Sequence, residues 1–335
     1  MVLVWVASGC GGPARYSTEA PAPTGFNVVL VTLDGVRWQD FFAGADPLLS
    51  PNPAPLFPQF LERLAARQGM AYGDRRHGSA MTVSTAANAS LPGYTSMFAE
   101  ADQGCLTNGC ARVAVPTMFD RIHDELGVPA SDNAVFASWS KLRLAVSSRD
   151  DVAHVRAGDF DRALEADHPQ AALLDEGFET DRGTVLEAAA LLAKARPRVL
   201  YLSLLDSDRY GHQGDYAKYT QVLRAYDRLL ATLMDRLAAS AVEGRKTAWV
   251  VTTDHGRGLW DQWADHGPHV PASANVWAAV ALPAEAADWK LIDARSRVFT
   301  HHDVRYTVET LLGLPTKSAE GSQTGFVAHR GARGR

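Results

Sequence analysis

Beyond residue 25 the apolar positions fall into two kinds of segment that alternate along the chain. Short, nearly continuous runs of Val, Leu, Ala and aromatic residues recur as FNVVLVTLDG, NAVFASWS, RVLYLSLLDSD, TAWVVTTDHG and NVWAAVALP. Runs of this kind suit strands covered on both faces, the situation of a parallel sheet. Between them, PLFPQFLERLAARQG has a helical period. After residue 215 a long helix is predicted, because Tyr216, Tyr219, Leu223, Tyr226, Leu230, Leu233 and Leu237 recur at three- and four-residue steps. The predicted class is α/β, with a mainly parallel central sheet sandwiched between helices in three layers. Residues 26–335 read as one domain, within which the more polar and less regular interval 141–195 reads as a cap or an insertion over one edge.

Composition narrows the function. The chain has 335 residues, 46% hydrophobic and 21% charged, which is ample for a core and excludes disorder, collagen and a disulfide scaffold. Lys and Arg number 33 against 38 acidic residues, with no basic block, so a structural partnership with a nucleic-acid backbone is not expected.

The N-terminus has its own character. MVLVWVASG is apolar or small and leads into Cys10, and GGPARYSTEAPAPTG follows as a tether. Residues 1–25 therefore resemble the end of a bacterial lipoprotein signal, with Cys10 as the lipidation site and a lipid anchor to the membrane as the consequence. The remaining cysteines, Cys105 and Cys110, lie in the polar turn-rich stretch GCLTNGC. A local disulfide is easy there and would persist in an oxidising compartment, so an exported protein is expected, periplasmic or membrane-anchored.

The strand ends carry the chemistry. FNVVLVTLDG ends in Asp34, RVLYLSLLDSD in Asp206 and Asp208 with His212 four residues after Asp208, and TAWVVTTDHG in Asp254 and His255; a further His266 lies in DHGPHVP. Ligands of such sheets gather at the carboxyl ends of the strands. Mixed carboxylate and imidazole donors suit a divalent metal of intermediate hardness: Zn²⁺ matches best, and Mn²⁺ accepts the same donors.

In this order, LDGVRW, ANASLPGYTSMF, LLDSDRYGH, TTDHGRG and DHGPHVP resemble the motifs of the alkaline phosphatase superfamily, above all its compact bacterial members and the nucleotide pyrophosphatase/phosphodiesterase branch. The resemblance runs from about residue 27 to 315 and implies two metal ions at the sheet's carboxyl edge. Carried over, the first metal takes Asp208, His212 and His266, and the second takes Asp34, Asp254, His255 and the oxygen of the nucleophile, Ser90. Asp206 and His269 are the rival ligands. His301 and His302 precede an amphipathic helix, where capping by Thr300 or Asp303 is the simpler account. No partner motif accompanies His77, His123, His154, His168 or His329.

Ser90 lies in NASLPGY, where Pro92 fits the first turn of a helix. Its hydroxyl would then sit at a helix N-terminus, whose free N–H groups favour an anion. The implied reaction is hydrolysis of a small phosphoric monoester or diester through a phospho-serine. One departure concerns the diester branch, which commonly carries Asn where this chain has Gly93; Asn88 or backbone amides would have to supply that phosphate contact, and Arg37 in DGVRWQDFF has two readings, an approach to the leaving group or a place on a helix surface. Two alternatives stay open. One is a sulfatase-like or promiscuous sulfate or phosphonate ester hydrolase, although SLPGY lacks the Arg of the sulfatase pattern. The other is a metal-binding member without catalysis.

Overall fold

The computed structural model describes residues 26–100, 104–158, 160, 177–239, 246–315 and 325–330. The N-terminal segment, with Cys10, lies outside the described residues, as does His168. Among those described the strands are β1 (Phe26–Leu33), β2 (Met70–Tyr72), β3 (Ala80–Thr82), β4 (Asn133–Ala137), β5 (His154–Ala157), β6 (Val199–Leu204), β7 (Lys246–Thr252), β8 (Ala278–Ala281), β9 (Trp289–Leu291), β10 (Val298–Thr300) and β11 (Val327–His329). The helices are α1 (Trp38–Phe42), α2 (Pro58–Ala66), α3 (Ser90–Phe98), α4 (Met118–Leu126), α5 (Arg143–Val146), α6 (Asp181–Lys194), α7 (Asp206–His212), α8 (Tyr216–Ala239) and α9 (His301–Leu312).

A seven-stranded sheet runs in the order β2-β8-β7-β1-β6-β4-β5. The five strands from β7 to β5 are parallel. β8 reverses direction against β7 because the connecting loop, residues 253–277, returns without a crossover helix. Alternate side chains of β1 explain the three layers: Val29, Val31 and Leu33 enter a core shared with α2, α6 and α8, while Val28 and Leu30 enter one shared with α3, α4 and α9. The apolar stripe read from Tyr216 to Leu237 is buried along one face of α8. Each such side chain contributes about 1.5–3 kcal/mol by leaving water.

The interval 141–195, set apart by its polarity, supplies α5, the edge strand β5 and α6 in its described residues; β5 pairs with β4, and α6 packs on β4 and β6. Its weak apolar signal has a simple origin, since β5 has one covered side and His154 on it is exposed.

Candidate metal centre and nucleophile

Three parallel strands deliver the site. Asp34 follows β1, Asp254 and His255 follow β7, and β6 leads into α7, where Asp208 and His212 are four residues apart on one helical face. Ser90 is the first residue of α3, and His266 comes from the loop before β8. At the centre stands His255 Nε2, 3.4 Å from Ser90 Oγ, 3.5 Å from Asp34 Oδ1, 3.5 Å from Asp254 Oδ2 and 3.9 Å from Asp208 Oδ1. His212 Nε2 lies 3.3 Å from Asp208 Oδ2 and 3.0 Å from His266 Nε2.

Hydrogen bonds on the far side of each group aim the near side inward. His255 Nδ1–H donates to the Gly256 carbonyl and His266 Nδ1–H to the Asn88 carbonyl, both at 2.9 Å, which turns both Nε2 lone pairs toward the cluster. Tyr94 donates its hydroxyl to Asp34 Oδ2 at 3.0 Å, and Gly35 N–H donates to Asp254 Oδ1 at 3.1 Å. The oxygens that remain, Asp34 Oδ1 and Asp254 Oδ2, are buried with no hydrogen-bond partner, and these are the two facing His255 Nε2. Buried acceptors without donors are costly unless a cation or proton meets them.

Electrostatics says the same. Burial, then the charges of Asp254 and Asp208, push the Asp34 carboxyl well above its ordinary range. Burial and Asp208 raise Asp254 to about 7. Burial works against Asp208 too, yet the Arg257 guanidinium beside it holds that carboxyl below its usual range. Burial lowers His255 to about 4, and burial together with the stacked His255 ring lowers His266 to about 3, so both imidazoles are neutral at pH 7. Three carboxylates thus converge on neutral imidazoles with one guanidinium among them, a donor set that fits divalent cations. Two groups have donor atoms within 4.8 Å of one another: Asp34, Asp254 and His255, and Asp208, His255 and His266. His255 belongs to both, whereas the motif resemblance assigned it to one.

Other expected residues lie elsewhere. Asp206 accepts the N–H groups of Glu179, Thr180 and Asp181 at the start of α6 and points away from the cluster. His269 is exposed. Thr300 and Asp303 form the capping box of α9, and His301 Nε2–H donates to the Thr253 carbonyl at 3.1 Å, bracing the segment that carries Asp254. Arg37 is 1% exposed, its guanidinium bonds Asp40 at 2.7 and 2.9 Å, and it is not among the residues that line the cleft beside Ser90. Asn88 is also committed elsewhere, with φ at 45°, its carbonyl on His266 and its amide on the Gly267 carbonyl at 3.4 Å. Gly93 has a packing reason: a Cβ there would come 2.6 Å from the Asp254 carbonyl oxygen. No larger side chain fits that contact between α3 and the β7 strand end.

The α3 N-terminus offers fewer donors than its sequence pattern implies. Leu91 N–H is taken by Asn108 Oδ1 at 2.9 Å, Pro92 has no N–H, and Gly93 N–H reaches the Ala89 carbonyl at 2.8 Å. Sequence reasoning passed over Tyr94, Asn108 and Arg257. Arg257 alone left a signal, as a lone Arg among small residues in TTDHGRG. Ser90, Asn108, Trp139, Asp208, Arg209 and His212 line an open cleft of about 400 Å³. A larger hollow of about 460 Å³, beside Met70, Pro283 and Trp289 at the opposite sheet end, lacks the clustered carboxylates and imidazoles.

Residues 177–268 match the family model of the Metalloenzyme superfamily, a span that holds Asp208, His212, Asp254, His255 and His266. No curated protein matches the chain by sequence. Among solved structures, the periplasmic domain of phosphoethanolamine transferase EptC from Campylobacter jejuni is 12% identical, with 86% of this chain and 89% of that chain covered and a TM-score of 0.56. The corresponding Escherichia coli domain, in complex with Zn, is 9% identical over 93% of this chain and 85% of that chain, with a TM-score of 0.54. A 2-O GAG sulfatase is 12% identical over 90% of this chain and 73% of that chain, with a TM-score of 0.57.

Proposed function

We propose that this chain, which matches the metalloenzyme superfamily over residues 177–268 and has an alkaline phosphatase-like fold, is a metal-dependent hydrolase of small phosphoric esters with Ser90 as its nucleophile. The observation that carries the reading is the place of Ser90 Oγ, 3.4 Å from His255 Nε2, between the buried donor cluster and the open cleft. Two donor groups that share His255 support a metal centre, and with His212 beside Asp208 and His266 they would hold two ions, one by Asp34, Asp254 and His255 and one by Asp208, His212 and His266, with Zn²⁺ as the best match and Mn²⁺ as the substitute.

Bound there, divalent cations supply Lewis acidity that lowers the proton affinity of a neighbouring hydroxyl and offsets charge on a leaving oxygen. The rest falls to the chain. The Ser90 hydroxyl gives its proton to solvent and its Oγ attacks phosphorus; the Oγ–P bond forms as the bond from phosphorus to the leaving oxygen breaks, and the leaving alkoxide takes up a proton from solvent. Water then attacks the phospho-serine in line, which returns the Ser90 hydroxyl and releases phosphate or a monoester. Asp208, fixed by Arg257, and His266, fixed by Asn88, keep their orientation through both steps.

Export is part of the reading. The Cys105–Cys110 bridge, the lipoprotein-like segment ending at Cys10 and the likeness to periplasmic domains of bacterial enzymes all support a periplasmic or lipid-anchored protein. Sulfate-ester cleavage is the second reading, favoured by the likeness to a sulfatase and by the Ser90-Leu91-Pro92 run. Against it, Tyr94 stands where the sulfatase pattern has Arg, and its hydroxyl is spent on Asp34.

The test is elemental analysis of the protein together with rates on p-nitrophenyl phosphate, its diester and the sulfate. The expected result is bound metal, phosphoric ester turnover that exceeds sulfate turnover, and loss of turnover in Ser90→Ala. A metal-free protein, or a Ser90→Ala variant with full activity on every ester, would falsify the assignment.

A further inference from the structure

We infer that the amino end of the central sheet, opposite Ser90, is the face this protein turns to an anionic lipid bilayer. The inference rests on the reading of the chain as exported and anchored at Cys10, and not on the chemistry at Ser90.

Three hollows follow one another along that end, between the last turns of α6 and α8, the start of β7 and the segment that leaves β8. They hold about 230, 340 and 460 Å³; the first two share Leu237, and the last two share Arg67 and Pro283. Six bases line them, Arg67, Arg196, Arg236, Lys246, Lys290 and Arg330, against one acid, Glu285. Part of this charge is answered locally: Lys246 pairs with Glu285 at 3.3 Å, and Arg67 lies 3.9 Å from Asp235 at the rim. Lys290 and Arg330 are exposed and form no ion pair among the described residues. On a chain whose net charge is −5, this is a local surplus of positive charge.

The apolar part of the lining suits the same partner. Leu282, Pro283 and Trp289 are half-buried beside the bases, and the Trp289 ring packs on Phe26 with centroids 6.5 Å apart. Indole rings and basic side chains together make a surface suited to the level of lipid headgroups. A free phosphate would use the bases and leave the apolar strip in water.

Phe26 also opens β1, so the tether from Cys10 enters the fold at this end, and the 16 residues between them reach at most about 55 Å. The anchor therefore holds the bilayer within reach of the basic end. Attraction to anionic headgroups, which acts over about 8 Å at physiological salt, then selects that end from the others.

The consequence concerns substrate. β1 has 8 residues, so about 26 Å of strand separates the bilayer-facing end from Asp34 and the cleft beside Ser90. Esters that diffuse in water reach that cleft, whereas the headgroup of a lipid in the same bilayer does not.

The experiment uses the full chain without acylation, sedimented with vesicles of phosphatidylglycerol or of phosphatidylcholine. The apolar first residues act alike on both lipids, so the difference between the two vesicles reads the charge. We expect a preference for phosphatidylglycerol that weakens with salt and falls by about tenfold in K290A/R330A, and further in K290E/R330E. R75E/K218E, an equal charge change at the carboxyl end of the sheet, should leave the preference within about twofold of wild type. Melting temperatures report whether each variant is folded. Hydrogen exchange on the vesicles should slow over residues 283–291 and stay as in solution over residues 104–110, beside the cleft.

Equal preference in wild type, K290A/R330A and K290E/R330E, or slowed exchange at 104–110 in place of 283–291, would overturn the orientation. So would binding of free glycerol phosphate, or dimerisation through this end, with no preference between the vesicles. Mass spectrometry of protein extracted from cell membranes reads the anchor separately. An unmodified Cys10 removes the anchor and leaves the vesicles to decide the surface; an acylated Cys10 with a vesicle preference that ignores Lys290 and Arg330 keeps the anchor and removes the surface.

Discussion

Arg257 holds both the backbone and the side chain of Asp208: one guanidinium nitrogen donates to the Asp208 carbonyl at 2.8 Å and to its carboxylate as well. Both residues are buried, and the guanidinium lies against Gly35 and Gly211, where any Cβ would strike Asp208 or Arg257. The pair keeps one carboxylate of the cluster ionised while its neighbours are pushed toward the neutral acid.

Arg257→Ala leaves that carboxylate buried without its partner. A loss of about 3–5 kcal/mol in unfolding free energy is expected from denaturant titration, together with weaker metal binding. Arg257→Lys keeps the charge but cannot bond Asp208 and the Ala264 carbonyl through two separate nitrogens, and should fall between wild type and Arg257→Ala. A stability equal to wild type in Arg257→Ala would refute the role.

Gly93→Ala tests the close approach of α3 to the β7 strand end. The added methyl meets a backbone oxygen at 2.6 Å, so either Ser90 or Asp254 must move. A displacement of ~1 Å at a reacting group costs about 100-fold in rate, whereas overpacking costs only about 1–3 kcal/mol of stability. Activity should therefore fall far more than the melting temperature suggests.

Tyr94→Phe removes a hydroxyl and little else. Asp34 loses its 3.0 Å donor, which opposes the rise in its pKa, so its carboxyl rises further and holds a cation less well. Metal affinity should drop by about 10–100-fold in competition with a chelator, the range for partners of metal ligands. Unchanged affinity would show that the Tyr94 hydroxyl does not tune Asp34.

The chelated protein should lose stability as pH rises from 6.5 to 8. Asp254 has a folded value of about 7 against an ordinary 3.8, so the folded state binds the proton more tightly, and that stabilisation disappears as pH climbs through 7. His255 and His266, at about 4 and about 3 against an ordinary 6.5, act in the opposite sense but only below pH 6.5. The loaded protein should show the reverse trend, because ligands must be deprotonated to bind metal. Melting curves with and without chelator at both pH values decide it.

Much of the fold was legible along the chain because its causes are local. β1, β4, β6 and β7 are nearly continuous apolar runs since both their faces are covered, and α8 shows its stripe since one face is. β5 was not legible as a strand, because an edge strand with an exposed His154 carries no such pattern. Of the site, the pairs bound by short spacing could be read: Asp208 with His212 along one helix face, and Asp254 beside His255 where β7 ends.

The sequence by itself determined which elements form and which polar side chains stand at their carboxyl ends, since both follow from periodicity and from where the chain must leave the sheet. Tertiary structure alone decided the company each side chain keeps. It took Arg37 into a buried pair with Asp40, set Arg257 on Asp208 across 49 residues, and brought Asn108 from a disulfide loop to Leu91. Those contacts depend on how separate elements pack, and packing distances are not written in residue spacing.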